Sequence, residues 1–234
     1  MTVKFAVSEW SGWTPLQPSH ASSDTTSISY DQAPDVSAIP AMLRRRLNSL
    51  GRACASQVLT LLPPTPDIPL VYCSQHGDIE RTLAVLLELA ESATVSPNNF
   101  SLAVHNAICG VLSIHAGLTG SINTIAAGQQ GLVPVLLEAA GLLSPSCPQV
   151  LCVLCDVRLP EVYQTANAQP HAPYAVCFVV STVGGVALDL RQRETAAINA
   201  GYVPPLDFCA FLDNQAVWSV TLAHNCCSWE IAKC

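Results

Sequence analysis

Residues 121–143 read SINTIAAGQQGLVPVLLEAAGLL. A short run with β character, residues 122–127, meets Gly128-Gln129-Gln130-Gly131 and passes at once into an apolar helix that reaches Leu143. A strand, sharp turn and helix aim the side chain at the turn into the mouth of a helix N-terminus, where backbone N–H groups and the macrodipole favour developing negative charge. Many enzymes place a nucleophile there. The turn here offers Gly128, Gln129 and Gln130, none of which forms an ester or a thioester. The stretch therefore predicts the geometry of a nucleophile elbow with no nucleophile on it.

Outward from that stretch, the totals narrow the class. A chain of 234 residues suits one large domain with a full core, although it has room for two small ones. The expectation is a single domain over 1–234, with a loop or insertion at 15–38 and a tail, 206–234, that packs back. Half of the residues are hydrophobic and only 12% are charged, against roughly a quarter in ordinary domains. So much apolar matter on so few charges suggests that another subunit covers part of the surface. A net charge of −7 argues against nucleic acid as a partner. The N-terminal MTVKFAVSEWSGW has no long apolar core and carries Glu9 early, so it does not read as an export signal. No apolar run is long enough for a membrane span, and the expected location is cytoplasmic.

Eleven cysteines raise the question of a disulfide scaffold or a metal site. Most lie inside apolar runs and read as reduced, buried thiols acting as small hydrophobes. Cys152 and Cys155 have the spacing of a metal pair, but VLCVLCDV reads as a buried strand, on which residues three apart point to opposite faces. Neither a metal nor a cofactor is expected.

Taken in order, residues 3–8 alternate lightly as a first strand, and 15–40 are rich in Ser, Thr, Asp and Pro without periodicity. Residues 42–62 then repeat apolar positions at helical spacing. This helix holds Arg44, Arg45, Arg46 and Arg52, four of the ten basic residues. They read either as a solvated face opposite the core or as a docking patch for an acidic carrier protein, since guanidinium forks suit carboxylate and phosphate. The run 68–74, IPLVYCS, is a buried strand. Asp78 is positioned to cap a second helix, 79–92, with apolar Leu83, Leu86, Leu87 and Ala90. Residues 100–115 have the small, apolar composition of a helix held between the core and a partner. His105, on that helix, reads as a hydrogen-bonded core residue rather than a catalyst. Three more strands follow, at 149–157, 174–181 and 186–190, the last two joined through Gly184-Gly185. Strands separated early by helices and later by loops give an α/β layer with a partly antiparallel edge.

The run FSLAVHNAICGVLSIHAGLTGSINTIAAGQQGLVPVLLEAAGLL, residues 100–143, resembles the N-terminal half of the β-ketoacyl synthases, the condensing enzymes of the thiolase fold. In that family a helix ending in Ser-Ile-x-x-Gly-Leu-x-Gly precedes the elbow that bears the active cysteine, and Ser113-Ile114-His115-Ala116-Gly117-Leu118-Thr119-Gly120 fits this pattern. Four other pieces are similar to one branch: Trp10 with Trp13, the run from Ile39 to Leu47, Ser74-Gln75-His76-Gly77-Asp78, and Val104-His105-Asn106-Ala107. Together they resemble the short ketosynthase-like chain length factors of aryl polyene and related type II polyketide pathways. The resemblance implies a thiolase-like half-fold, an α/β architecture with a mixed parallel and antiparallel sheet covered by helices.

The departures from the family bear on function. Aligning the closing glycine of the family elbow with Gly131 puts the active-cysteine position at Gly128, and a shift of one residue puts it at Gln129; neither is a thiol. The C-terminal histidine pair of condensing enzymes has no counterpart beyond His224. What the resemblance then implies is a non-catalytic subunit that pairs with an active ketosynthase and meets the acyl carrier protein through the complex. Residues Asn123, Thr124, Ile125, Ala126 and Ala127 are implied as subunit interface. His105, Cys109 and Leu112 are implied to line the tunnel and set chain length. The alternative is a stand-alone malonyl-thioester decarboxylase or acyltransferase-like enzyme, with Gln129 holding a thioester carbonyl or Cys109 as nucleophile.

Overall fold

Residues 150–155, VLCVLC, and 175–180, AVCFVV, are apolar without interruption, a pattern a strand tolerates only when both its faces are covered. They form the middle of the fold. The computed structural model describes residues 1–16, 27–62, 67–128, 131–164, 172–193, 205–224 and 227–234. Its elements are β1 (Thr2–Trp13), β2 (Ile28–Ser29), α1 (Ala41–Arg46), α2 (Ser49–Leu61), β3 (Leu70–Cys73), α3 (Ile79–Ser92), α4 (Pro97–Ser101) and α5 (Ala107–Ala116). They continue with β4 (Ile122–Ile125), α6 (Leu132–Leu142), β5 (Gln149–Asp156), β6 (Tyr174–Ser181), β7 (Val186–Arg193), α7 (Pro205–Asp213), β8 (Ser219–His224) and β9 (Cys227–Lys233).

The strands form one sheet in the order β4-β3-β5-β6-β1-β7-β9-β8, with β2 beside β1. β4, β3 and β5, which helices connect, are parallel. The other strands of that order run antiparallel from β5 outward. The sheet's antiparallel part is therefore larger than the edge expected from sequence.

Alternation sends Val150, Cys152 and Leu154 to the face covered by α6 and α7, and Leu151, Val153 and Cys155 to the face covered by α2 and α5. The two thiols lie on opposite faces, as the strand spacing requires. Trp10 and Trp13 part in the same way. The Trp10 indole donates to Asp213 Oδ1 at 2.8 Å, and the Trp13 indole to the Asp31 carbonyl at 3.0 Å.

Several elements differ from their sequence reading. The helix expected over 42–62 is two helices, broken at Leu47 and Asn48 because the Asn48 side chain accepts the Gly51 N–H at 3.0 Å and caps a new start. The helix expected over 100–115 is α4 and α5 with a turn between them, and His105 lies in that turn. β1 is 12 residues long, with a register shift between Val7 and Glu9 that leaves Ser8 as a bulge. Of the loop expected at 15–38, residues 17–26 lie outside the described residues, and Ile28–Ser29 pair with β1. The stretch 206–234 contributes most of α7, whose Phe208 and Phe211 are buried, and the β8–β9 hairpin. No helix among the described residues is long and apolar enough to cross a membrane.

Candidate functional site

The elbow stands at the end of β4. Gly128 has φ +63°, in the left-handed region, and a Cβ built there meets nothing within 4 Å. Three residues on, Gly131 precedes α6, and its carbonyl accepts the Val135 N–H at 3.1 Å. A Cβ at Gly131 would sit 2.6 Å from Cys73 Sγ, so the chain passes close enough over the end of β3 that only glycine fits. Gln129, the other position assigned to the missing nucleophile, lies outside the described residues, as does Gln130.

A thiol, that of Cys73, lies against the turn. Burial pushes its pKa up to about 12, with smaller effects from Ala127, Asp156 and Cys155. It stays protonated at neutral pH and is a poor nucleophile. Cys109 is likewise raised well above the ordinary thiol value by burial.

Beside the elbow, the motif Ser74-Gln75-His76-Gly77-Asp78 is held by a polar cluster at the carboxyl ends of β3 and β5. Asp156 Oδ1 accepts from Ser74 Oγ and from the Gln75 N–H, both at 2.8 Å, and Oδ2 accepts from the Tyr174 hydroxyl at 3.1 Å. Burial raises the Asp156 carboxyl above the usual range even though these donors lower it. Gly77, at φ +59°, passes His105 so closely that a Cβ would lie 3.2 Å from the His105 Cα. His105 Nε2 lies 2.9 Å from the Ser74 carbonyl; since a carbonyl only accepts, that nitrogen carries the proton. The ring also meets Tyr72 edge-on at 5.6 Å. His105 thus fixes a turn. Asp78 accepts the Arg81 N–H at 3.1 Å and caps α3, while the Asn48 amide donates to the same carboxylate at 2.6 Å, tying the starts of α2 and α3 together.

The other sequence-predicted residues fall in distinct places. Cys109 and Leu112 face their own chain's core with Ile108, whereas Gly110 and Ile114 turn outward on α5. Asn123 and Ile125 point toward α6, and Asn123 donates to Glu138 Oε1 at 2.5 Å. Thr124 and Ala126 are exposed, and Ala127 is half-buried. Among the described residues β4 pairs only with β3, so its other edge is open. Arg45 and Arg46 are exposed on α1, and Arg44 is half-buried. Arg52 is partly committed, donating to the Arg44 carbonyl at 3.2 Å, and Arg81 donates to that of Arg46 at 3.0 Å; two cations close the C-terminus of α1.

One feature escaped the sequence reading altogether. A cavity of about 450 Å³ opens on the α2 side of the sheet beside Asp156, with Trp13, Arg52, Arg158 and Tyr174 in its lining. Its parts come from six separate stretches of the chain, and no local pattern joins them.

With this geometry in place, comparison with known proteins identifies the relatives. The family model described as Beta-ketoacyl synthase, N-terminal domain, matches residues 10–230. No curated protein matches by sequence. Among solved structures, the chain is similar to one from the ketosynthase ApeO in complex with its chain length factor ApeC from Xenorhabdus doucetiae, with TM-score 0.74 at 24% identity, covering 98% of this chain and 99% of that one. A chain of the ishigamide ketosynthase/chain length factor superposes with TM-score 0.71 at 12% identity, covering 99% and 98%. A chain from AntDE:AntF, a type II polyketide acyl carrier protein in complex with its ketosynthase bound to the hexaketide, gives TM-score 0.67 at 12% identity, with both chains covered completely. The fold is α/β with a mixed parallel and antiparallel sheet covered by helices, as the resemblance implied, and these solved chains share it.

Proposed function

We propose, from the premise that this chain belongs to the β-ketoacyl synthase N-terminal domain family, that it is a non-catalytic chain length factor. In this reading it pairs with an active ketosynthase and shapes the tunnel for a growing acyl chain in aryl polyene or related type II polyketide synthesis. The observation behind it is the elbow. Gly128, left-handed and one of the two positions assigned to the nucleophile, has no side chain, and the thiol against Gly131, Cys73, is held protonated. Acyl transfer through a covalent thioester needs a thiolate at that turn. Without one, the chain acts through shape and contact.

Pairing uses Asn123 to Ala127, which take in the open edge of β4 and the two residues after it, with exposed Thr124 and Ala126 toward the ketosynthase. The α5 region then serves as a steric ruler. His105 fixes the turn ahead of the helix. Cys109 and Leu112 set how closely α5 lies on the sheet, while Gly110 and Ile114 present its outer face. The acyl carrier protein meets the complex, and Arg45 and Arg46, with Arg44 and Arg52 beside them, offer acidic groups a basic patch. The stand-alone decarboxylase or acyltransferase reading gains no support from the buried Cys109.

Gly110 gives the direct test, because a side chain there enters open space rather than the core. In the complex with its ketosynthase, Gly110→Trp is expected to shorten the acyl product by at least one extension unit while the amount of complex stays the same. Products of unchanged length, weighed by mass spectrometry, would contradict the ruler.

A further inference from the structure

Helix α3 repeats Leu83, Leu86, Leu87 and Ala90 at the spacing of an apolar stripe, which in a surface helix ordinarily faces the core. Here it does not. The one buried residue of the 14 is Val85, and Leu86, Leu87 and Leu89 are exposed, Leu87 at 54%. The helix packs on α4 rather than on the sheet. Hydrogen bonds hold it there: Glu88 Oε1 accepts the Ser96 N–H at 3.1 Å, and Glu88 Oε2 accepts from the Asn99 side-chain amide at 3.4 Å. Phe100 on α4 is also outward, 64% exposed, as are Val104 in the turn after α4 and Ile114 on α5, 80% exposed. α5 leads directly into β4.

We infer that the leucine face of α3, with Phe100, is a second half of the contact with the ketosynthase subunit, in addition to the β4 edge. This rests on the pairing proposed above. Size favours it: a stable interface buries on the order of 800 Å² per partner, and β4 offers an edge of four residues. The exposed leucines of α3 and Phe100 supply apolar area that the strand edge lacks. Chemistry favours it too. Contiguous exposed leucine and phenylalanine mark an interaction surface, and the exposed carboxylates Glu80 and Glu91 on α3 fit a partner whose contact is apolar with a basic rim.

The test compares Leu86→Lys/Leu87→Lys with wild type, each purified with the co-expressed ketosynthase, by sedimentation. Val183→Lys, in the exposed turn between β6 and β7, serves as the control. The double variant is expected to bind at least tenfold more weakly, with an unchanged melting curve for the chain alone and with Val183→Lys binding as wild type does. Hydrogen exchange of residues 83–90 is expected to slow in the wild-type complex. Wild-type affinity in the double variant together with unslowed exchange would overturn the inference while leaving the ketosynthase pairing in place. Failure of the wild-type chain itself to bind a ketosynthase would overturn both.

Discussion

Thr124→Pro is expected to weaken pairing with the ketosynthase at least tenfold while leaving the chain folded. The reason lies in the direction of the backbone groups. The Ser121 carbonyl accepts the Leu70 N–H at 2.8 Å and the Ile125 carbonyl accepts the Ser74 N–H at 3.3 Å. Residues 121, 123 and 125 therefore turn their polar groups toward β3, and by alternation Ile122 and Thr124 turn theirs to the open edge. Proline at 124 removes an outward donor and puts a ring where a partner strand would lie, without touching the inner ladder. Leaving one partner carbonyl unpaired costs about 1–3 kcal/mol, and 1.4 kcal/mol is about tenfold in affinity. Asn123→Pro is the informative contrast, because it breaks the ladder to β3 and lowers the melting temperature of the chain alone. Undiminished pairing by Thr124→Pro, measured by sedimentation, would remove β4 from the interface.

The second large effect concerns the elbow. Gly131→Ala is expected to destabilise the chain, since its Cβ would meet Cys73 Sγ at 2.6 Å and Leu154 Cδ2 at 3.5 Å. Cys73 is itself buried. Overpacking of this kind costs about 1–3 kcal/mol, a fall in Tm of roughly 2–12 °C for a chain of this size. The contact has a signature that a general loss of stability lacks. In Cys73→Ala/Gly131→Ala the clashing sulfur is gone, so the double variant is expected to be more stable than the sum of the single changes predicts. Strict additivity in thermal melts would show that the approach of turn and strand is not what requires glycine.

The elbow, the half-fold and the helix cap at Asp78 were legible because each depends on local chemistry: glycines at a tight turn, apolar runs in strands, a carboxylate at a helix start. The two helix breaks were not. Met42 to Leu62 keeps helical spacing through Leu47, and what ends α1 is Asn48, held by Asp78, 30 residues away. The turn at His105 likewise depends on Gly77 and the Ser74 carbonyl. Periodicity marked Leu83, Leu86 and Leu87 as apolar without saying what they cover, because a stripe facing a partner subunit has the same spacing as one facing the core. The extent of the antiparallel sheet depended on which loops return to which edge, as at β7 and β9.

The most direct measurement is covalent. The chain and its ketosynthase, together and apart, are incubated with a labelled acyl-carrier thioester, and the intact mass of each polypeptide is taken before any product leaves. The expected result is an acyl group on the ketosynthase and none on this chain, alone or in the complex. An acyl group trapped on this chain would contradict the assignment of a subunit that works by shape.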